Sequence, residues 1–178
     1  MKKSLLLLIA VVVAAPALAQ EIMPAPAAGM VKTMQSNINY VQDLIIRSAE
    51  LMPEADYAFK PTPEVRSFGQ LIAHVADANY FICSTVLGEA NPSPGVEKSK
   101  TSKADLAAAL KGSYEYCSKA YAISDANTGA PIKLFGQDQT RLGGLLLNDT
   151  HNWEHYGNII TYLRLKGQVP PSSQPMKK

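Results

Sequence analysis

Apolar residues recur along this chain at the spacing of α-helices, and proline and glycine separate the periodic stretches into four segments. In the first segment, Met34, Ile38 and Ile45 fall on one face. Such a stripe is typical of a helix that buries one side. The pattern predicts an all-α fold with four helices, at about residues 29–52, 67–87, 102–124 and 140–166.

Helix boundaries are marked by capping residues and helix breakers. Ser67 and Gln70 have the spacing of a capping box, in which the two side chains satisfy early backbone donors. Gly167, followed by two prolines, is expected to end the fourth helix. Between the third and fourth helices, residues 132–135 are interpreted as a short extended piece and not as a sheet.

The N-terminus has the pattern of a secretory signal peptide. A basic start precedes the apolar run Leu5–Ala15, which is too short to cross a bilayer, and small residues precede a cleavage site after Ala19. We therefore expect residues 1–19 to be a signal peptide and residues 20–28 a flexible leader. The expected location is the periplasm or the outside of the cell.

The remaining length suits one domain, at residues 29–170, with a tail at 171–178. Without Lys2 and Lys3 the formal charge of +2 falls to about zero. This balance argues against a nucleic-acid partner. No later apolar run approaches the roughly 20 residues of a membrane span, so the mature protein is not expected to be embedded in a membrane.

The two cysteines bear on the direction of the helices. Cys83 lies sixteen residues after Ser67, and Cys117 lies fifteen residues after Ser102. Parallel second and third helices would place these cysteines at the same level, whereas antiparallel helices would separate them too far for a bond. In an exported protein this predicts a Cys83–Cys117 disulfide, and the alternative is two buried free thiols.

The chain has three histidines, and their positions suggest one metal site. His151 and His155 lie four residues apart on the fourth helix, so both rings project from one face. His74 lies on the apolar face of the second helix and is the candidate third ligand. The alternative is that they are hydrogen-bonded core histidines, although burying three imidazoles without partners would be costly.

Two stretches resemble the DinB/YfiT-like metalloenzyme family: SFGQLIAHVADANYFIC and HNWEHYGNIITYLRLKGQVPPSS. The similarity extends over about residues 30–175. The resemblance implies a four-helix bundle of up-down-down-up topology. It also implies a divalent metal held by His74, His151 and His155.

Three imidazoles leave coordination positions for water or substrate, as in catalytic zinc sites. Zinc, nickel and iron are all compatible with this ligand set. Asn148 and Tyr162 share the sector of the fourth-helix histidines and are candidate second-shell groups, that is, hydrogen-bond partners of the ligands. Glu154 and Asp77 are further candidates that ordinary solvation explains equally well.

Two function classes remain. Relatives in the family include metal-dependent transferases that use low-molecular-weight thiols, so the resemblance implies a transferase or a hydrolase. The alternative is a non-catalytic, exported helical bundle that binds a metal or another ligand. The sequence identifies no catalytic residue and no small-molecule substrate, and a homodimer is compatible with the resemblance.

Overall fold

The computed structural model describes residues 29–175, and these residues form a mostly helical domain. Its helices are α1 (Met30–Leu51), α2 (Phe68–Leu87), α3 (Val96–Ser99), α4 (Lys103–Ala120) and α5 (Arg141–Leu165). A two-stranded hairpin consists of β1 (Pro131–Leu134) and β2 (Gln137–Thr140), and short 3₁₀ helices lie at Glu54–Asp56, Asp125–Asn127 and Pro171–Ser173. The expected signal peptide and leader lie outside the described residues.

The predicted start of α2 is confirmed in detail. The Ser67 hydroxyl accepts a hydrogen bond from the Gln70 backbone amide at 3.2 Å, and the Gln70 side chain accepts one from the Ser67 amide at 2.9 Å. Ser102 and Thr140 cap α4 and α5 in the same way, through side-chain oxygens. Local sequence therefore fixes where α2, α4 and α5 begin.

Contacts between α2 and α4 show that these two helices run in the same direction. Asn79 donates a hydrogen bond to Ser113, and one turn further along both helices Cys83 and Cys117 form a disulfide. The predicted disulfide and the predicted parallel pairing are thus present together. Both sulfur-bearing residues are buried in the core.

A polar network lies within this apolar core. The Asn79 side-chain oxygen accepts hydrogen bonds from Asn148 at 2.8 Å and from Asn152 at 2.9 Å. The carbonyl oxygens of those two amides accept from Tyr121 and Tyr114. The network consequently connects α2, α4 and α5, and all three asparagines are fully buried.

The hairpin is a difference from the expectation of an isolated extended piece. Its strands pair antiparallel, and the turn is formed by Phe135 and Gly136 with φ values of 50° and 76°. Two positive φ values are typical of a tight hairpin turn, where asparagine or glycine is usual. Phenylalanine is rare in this conformation, which explains why the turn is not evident from the sequence.

The third long helix ends at Ala120, four residues before the expected end. Tyr121, the next residue, directs its hydroxyl to the Leu145 carbonyl at 2.9 Å, and the chain then turns into a 3₁₀ helix. The start of the expected tail also packs on the domain. The Ser172 amide donates to the Tyr156 hydroxyl at 3.0 Å, and Gln174 accepts from Arg47 at 2.8 Å.

Within residues 29–175, none of the helices combines the length and the apolar character that crossing a bilayer requires.

The disulfide should contribute measurably to stability. It closes a loop with a sequence separation of 34 residues, and cross-links of this kind typically stabilise a domain by about 2–4 kcal/mol. We expect the Cys83→Ala/Cys117→Ala variant to lose this amount in denaturant unfolding. Dithiothreitol should lower the melting temperature of the parent protein and leave that of the variant unchanged. Two alkylatable thiols in the untreated, folded parent protein would contradict the bond.

Candidate metal centre

The three histidines lie together at the contact between α2 and α5. The ring of His74 is 4.8 Å from that of His155 and 5.2 Å from that of His151, measured between centroids. One potential ligand atom from each side chain lies within 4.8 Å of the other two. The structure therefore brings together the three residues that the sequence singled out.

The spacing of the nitrogens suits a shared ion. Nε2 of His151 and Nε2 of His155 are 3.0 Å apart. Two nitrogens bound at about 2.1 Å to one ion lie roughly 3.0–3.4 Å apart for bond angles between a right angle and the tetrahedral value. The same distance also fits a hydrogen bond between the two rings, in which one Nε2 donates and the other accepts. The donor set fits a divalent transition metal.

Burial keeps these imidazoles in the neutral form that metal ligation requires. Desolvation, followed by the neighbouring histidines and Arg66, lowers the pKa of His155 to about 3. The same kinds of cause, with desolvation again the largest, lower the pKa of His151 to about 4. The pKa of His74 is also lowered, mainly by desolvation. At neutral pH all three rings can offer a lone pair.

Neither Asn148 nor Tyr162 hydrogen-bonds a histidine in this structure. Asn148 uses both ends of its amide in the core network, with Asn79 and Tyr121. The Tyr162 hydroxyl donates to the Arg66 backbone carbonyl at 2.7 Å. Both residues lie in the same helical sector of α5 as the histidines, but other polar groups lie closer to their side-chain atoms. Among the described residues, Nδ1 of His151 and of His155 is buried without a hydrogen-bond partner.

A carboxylate that no sequence pattern indicates lies next to His74. Glu97 Oε2 is 3.8 Å from Nδ1 of His74, and Oε1 accepts a hydrogen bond from Arg66 Nε at 3.0 Å. Glu97 belongs to α3, whose first amides, those of Val96 and Glu97, donate to the Asp77 carboxylate. Asp77 was a second-shell candidate, and its observed role is to anchor the helix that carries Glu97. A four-residue helix has too few residues to show a periodicity.

A cleft of about 790 Å³ lies beside the histidines. His155, Glu97 and Tyr162 line it on the side of the cluster, and Lys60 and Arg66 contribute cationic groups. Glu154, the remaining second-shell candidate, also lines this cleft. The cluster is therefore partly buried and accessible from a cavity large enough for a small molecule.

Comparisons with known proteins agree on the fold. A DinB-like protein from Bacillus cereus has a TM-score of 0.70 and 14% identity, with 79% of this chain and 95% of that chain covered. A DinB-like protein from Bacillus subtilis has a TM-score of 0.65 and 22% identity, with coverage of 81% and 99%. A mycothiol-dependent maleylpyruvate isomerase has a TM-score of 0.61 and 17% identity, with coverage of 72% and 60%.

Sequence comparison provides the family. No curated protein sequence matches the chain. The model of the DinB superfamily matches residues 38–159, which include all three histidines and most of the helical domain. The chain belongs to the DinB superfamily.

Proposed function

We propose that this protein is an exported metalloprotein that binds one divalent ion through His74, His151 and His155 and acts as a metal-dependent transferase or hydrolase on a small molecule. The observation that carries the proposal is the convergence of three potential ligand atoms within 4.8 Å of one another, beside a cleft. The sequence pattern of residues 1–19 supports export.

The proposal includes an up-down-down-up arrangement of the four long helices. Its support is the order of their contacts. Asn37 of α1 bonds Asp149 of α5, and Tyr40 packs near Trp153 further along both helices, which is the order for parallel helices. The disulfide supports parallel α2 and α4. Lys103, at the start of α4, donates to the Met52 carbonyl at the end of α1, as antiparallel helices require.

Protein groups around the cluster prepare it for a cation and a substrate. Desolvation holds the imidazoles unprotonated, and the core network fixes α2 against α5. Lys60 and Arg66 can bind an anionic group in the cleft, while Asn158 and Thr161 offer neutral polar contacts. When bound, a divalent ion with three histidine ligands supplies Lewis-acid activation of water or of a thiol.

The reaction class follows from these groups and not from a single relative. The mycothiol-dependent isomerase shares the fold at 17% identity, which does not transfer its thiol to this chain. Low-molecular-weight thiols are cytosolic reductants, whereas an exported protein works in an oxidising compartment. The proposed reaction is therefore hydrolysis, or transfer of a group from another small molecule, as much as thiol transfer. Zinc, nickel and iron(II) are the candidate ions.

Removing one ligand tests the site directly. We expect His151→Ala to abolish stoichiometric metal binding, measured by elemental analysis after dialysis, because two imidazoles provide too few ligands to retain the ion. Helical circular dichroism should be largely preserved. Thr150→Ala, at the exposed neighbouring position on α5, is the control and should bind like the parent protein. Equal metal content in His151→Ala would refute the assignment.

Catalysis is tested by reconstituting the metal-free protein with zinc, nickel or iron(II) and assaying thiol transfer and the hydrolysis of esters and amides. At least one assay should show turnover that requires the metal and is lost in His155→Ala. Uniform inactivity with every metal, in a protein that binds metal stoichiometrically, would instead identify the chain as a non-catalytic binder.

The metal-free protein should lose stability as the pH falls. Histidines in the unfolded chain have a pKa near 6.5, whereas desolvation by burial lowers the pKa of His151 to about 4 and that of His155 to about 3 in the folded protein. Between pH 6.5 and 3 the unfolded state binds more protons, so acidification favours unfolding. The melting temperature of chelator-treated protein should fall through this window. His151→Asn/His155→Asn should show a shallower dependence, and identical slopes would contradict the assigned pKa shifts.

A further inference from the structure

We infer that Glu97 is a positioning residue that fixes the ring orientation and tautomer of His74. This inference rests on the proposed function, in which His74 is a metal ligand. It assigns a role to a carboxylate on α3, outside the two helices that carry the histidines.

The two oxygens of Glu97 face different partners. Oε1 accepts a hydrogen bond from Arg66 Nε at 3.0 Å, which holds the carboxylate in place. Oε2 lies 3.8 Å from Nδ1 of His74, beyond the roughly 2.7–3.2 Å of an N–H···O hydrogen bond. A direct hydrogen bond therefore requires a rotation of the ring or of the carboxylate. The carboxylate thus lies beside Nδ1 of His74, which leaves Nε2 as the nitrogen through which His74 would bind a shared ion.

The backbone at Glu97 is held by hydrogen bonds to the side chain of Asp77. The Asp77 carboxylate accepts the amide of Val96 at 2.7 Å and that of Glu97 at 2.8 Å. Asp77 lies on α2, one turn after His74. The helix that carries His74 therefore also holds the backbone of Glu97 near the His74 ring, through these two hydrogen bonds.

A carboxylate at this position determines which nitrogen carries the proton. A neutral imidazole beside an acceptor at Nδ1 keeps the proton there and leaves the Nε2 lone pair for a metal. Nδ1 of His151 and of His155 has no such partner among the described residues. His74 is then the ring whose tautomer the protein sets in advance, and the α5 pair completes the site around it.

The tautomer can be measured without any metal. In chelator-treated protein labelled with ¹⁵N-histidine, two-bond nitrogen–proton correlations should show His74 protonated at Nδ1, with the signals assigned by comparison with His74→Asn. In Glu97→Ala the Nε2-protonated form, which free histidine side chains favour in water, should dominate. Glu115→Ala removes the same charge from α4 and should leave the spectrum of His74 unchanged. A parent protein protonated at Nε2, or no change in Glu97→Ala, would overturn the inference.

Metal affinity provides the second measurement. Zinc competition against a chromophoric chelator should show affinity reduced about 10–100-fold in Glu97→Ala, the usual cost of removing an outer-shell partner. Asp77→Ala should weaken binding through the same carboxylate, so the double variant should bind no more weakly than Glu97→Ala alone. If the losses of zinc affinity in the two single variants add up in the double variant, Asp77 does not act through Glu97.

The two proposals fail in different ways. If the parent protein binds neither zinc nor nickel nor iron(II), the proposed metal function fails, while the tautomer measurement still decides the role of Glu97. If the parent protein binds zinc stoichiometrically and Glu97→Ala binds it equally tightly, the metal function stands and the inference about Glu97 is wrong.

Discussion

The relative position of α2 and α5 is set by buried amides that have to be paired. Asn79 offers one side-chain oxygen to Asn148 and Asn152 together, and all three residues are inaccessible to water. Sliding one helix along the other would leave these groups unpaired, at about 1–3 kcal/mol for each orphaned group. Apolar contacts alone tolerate such slippage more easily. Because α2 carries His74 and α5 carries the other two histidines, the amide network also fixes the distance between the histidines.

The disulfide restrains the same helix from its other side. Cys83 lies one turn after Asn79 on α2, and its partner Cys117 lies one turn after Ser113 on α4. The helix that contributes a single ligand is therefore held by hydrogen bonds to α5 and by a covalent bond to α4. Catalytic and binding sites require ligands that are already in place when the ion arrives. A rigid α2 meets that requirement at the point where only one side chain reaches the cluster.

The features that depend on periodicity and on local chemistry can be predicted from the sequence. Such features depend on one helix, or on two helices whose first residues are known. They are the capping box at Ser67, the matching positions of the two cysteines along their helices, and the four-residue spacing of His151 and His155. The role of Glu97 cannot be predicted in this way, because a four-residue helix held by a carboxylate that is distant in sequence leaves no local pattern. Asn148 hydrogen-bonds Asn79 and Tyr121 and not a histidine, for a related reason. A helical projection gives the direction of a side chain but not which of several polar groups lies nearest.

A group of buried neutral imidazoles has a physical cost that bears on its purpose. Desolvation disfavours protonation at His151 and His155, and Nδ1 of each of these two residues has no hydrogen-bond partner among the described residues. A core selected for stability alone would place apolar side chains at these positions. An ion that binds only the folded state offsets this cost through its binding free energy. The cost of burying these imidazoles and the proposed affinity of the cluster for a cation therefore follow from the same arrangement of ring nitrogens.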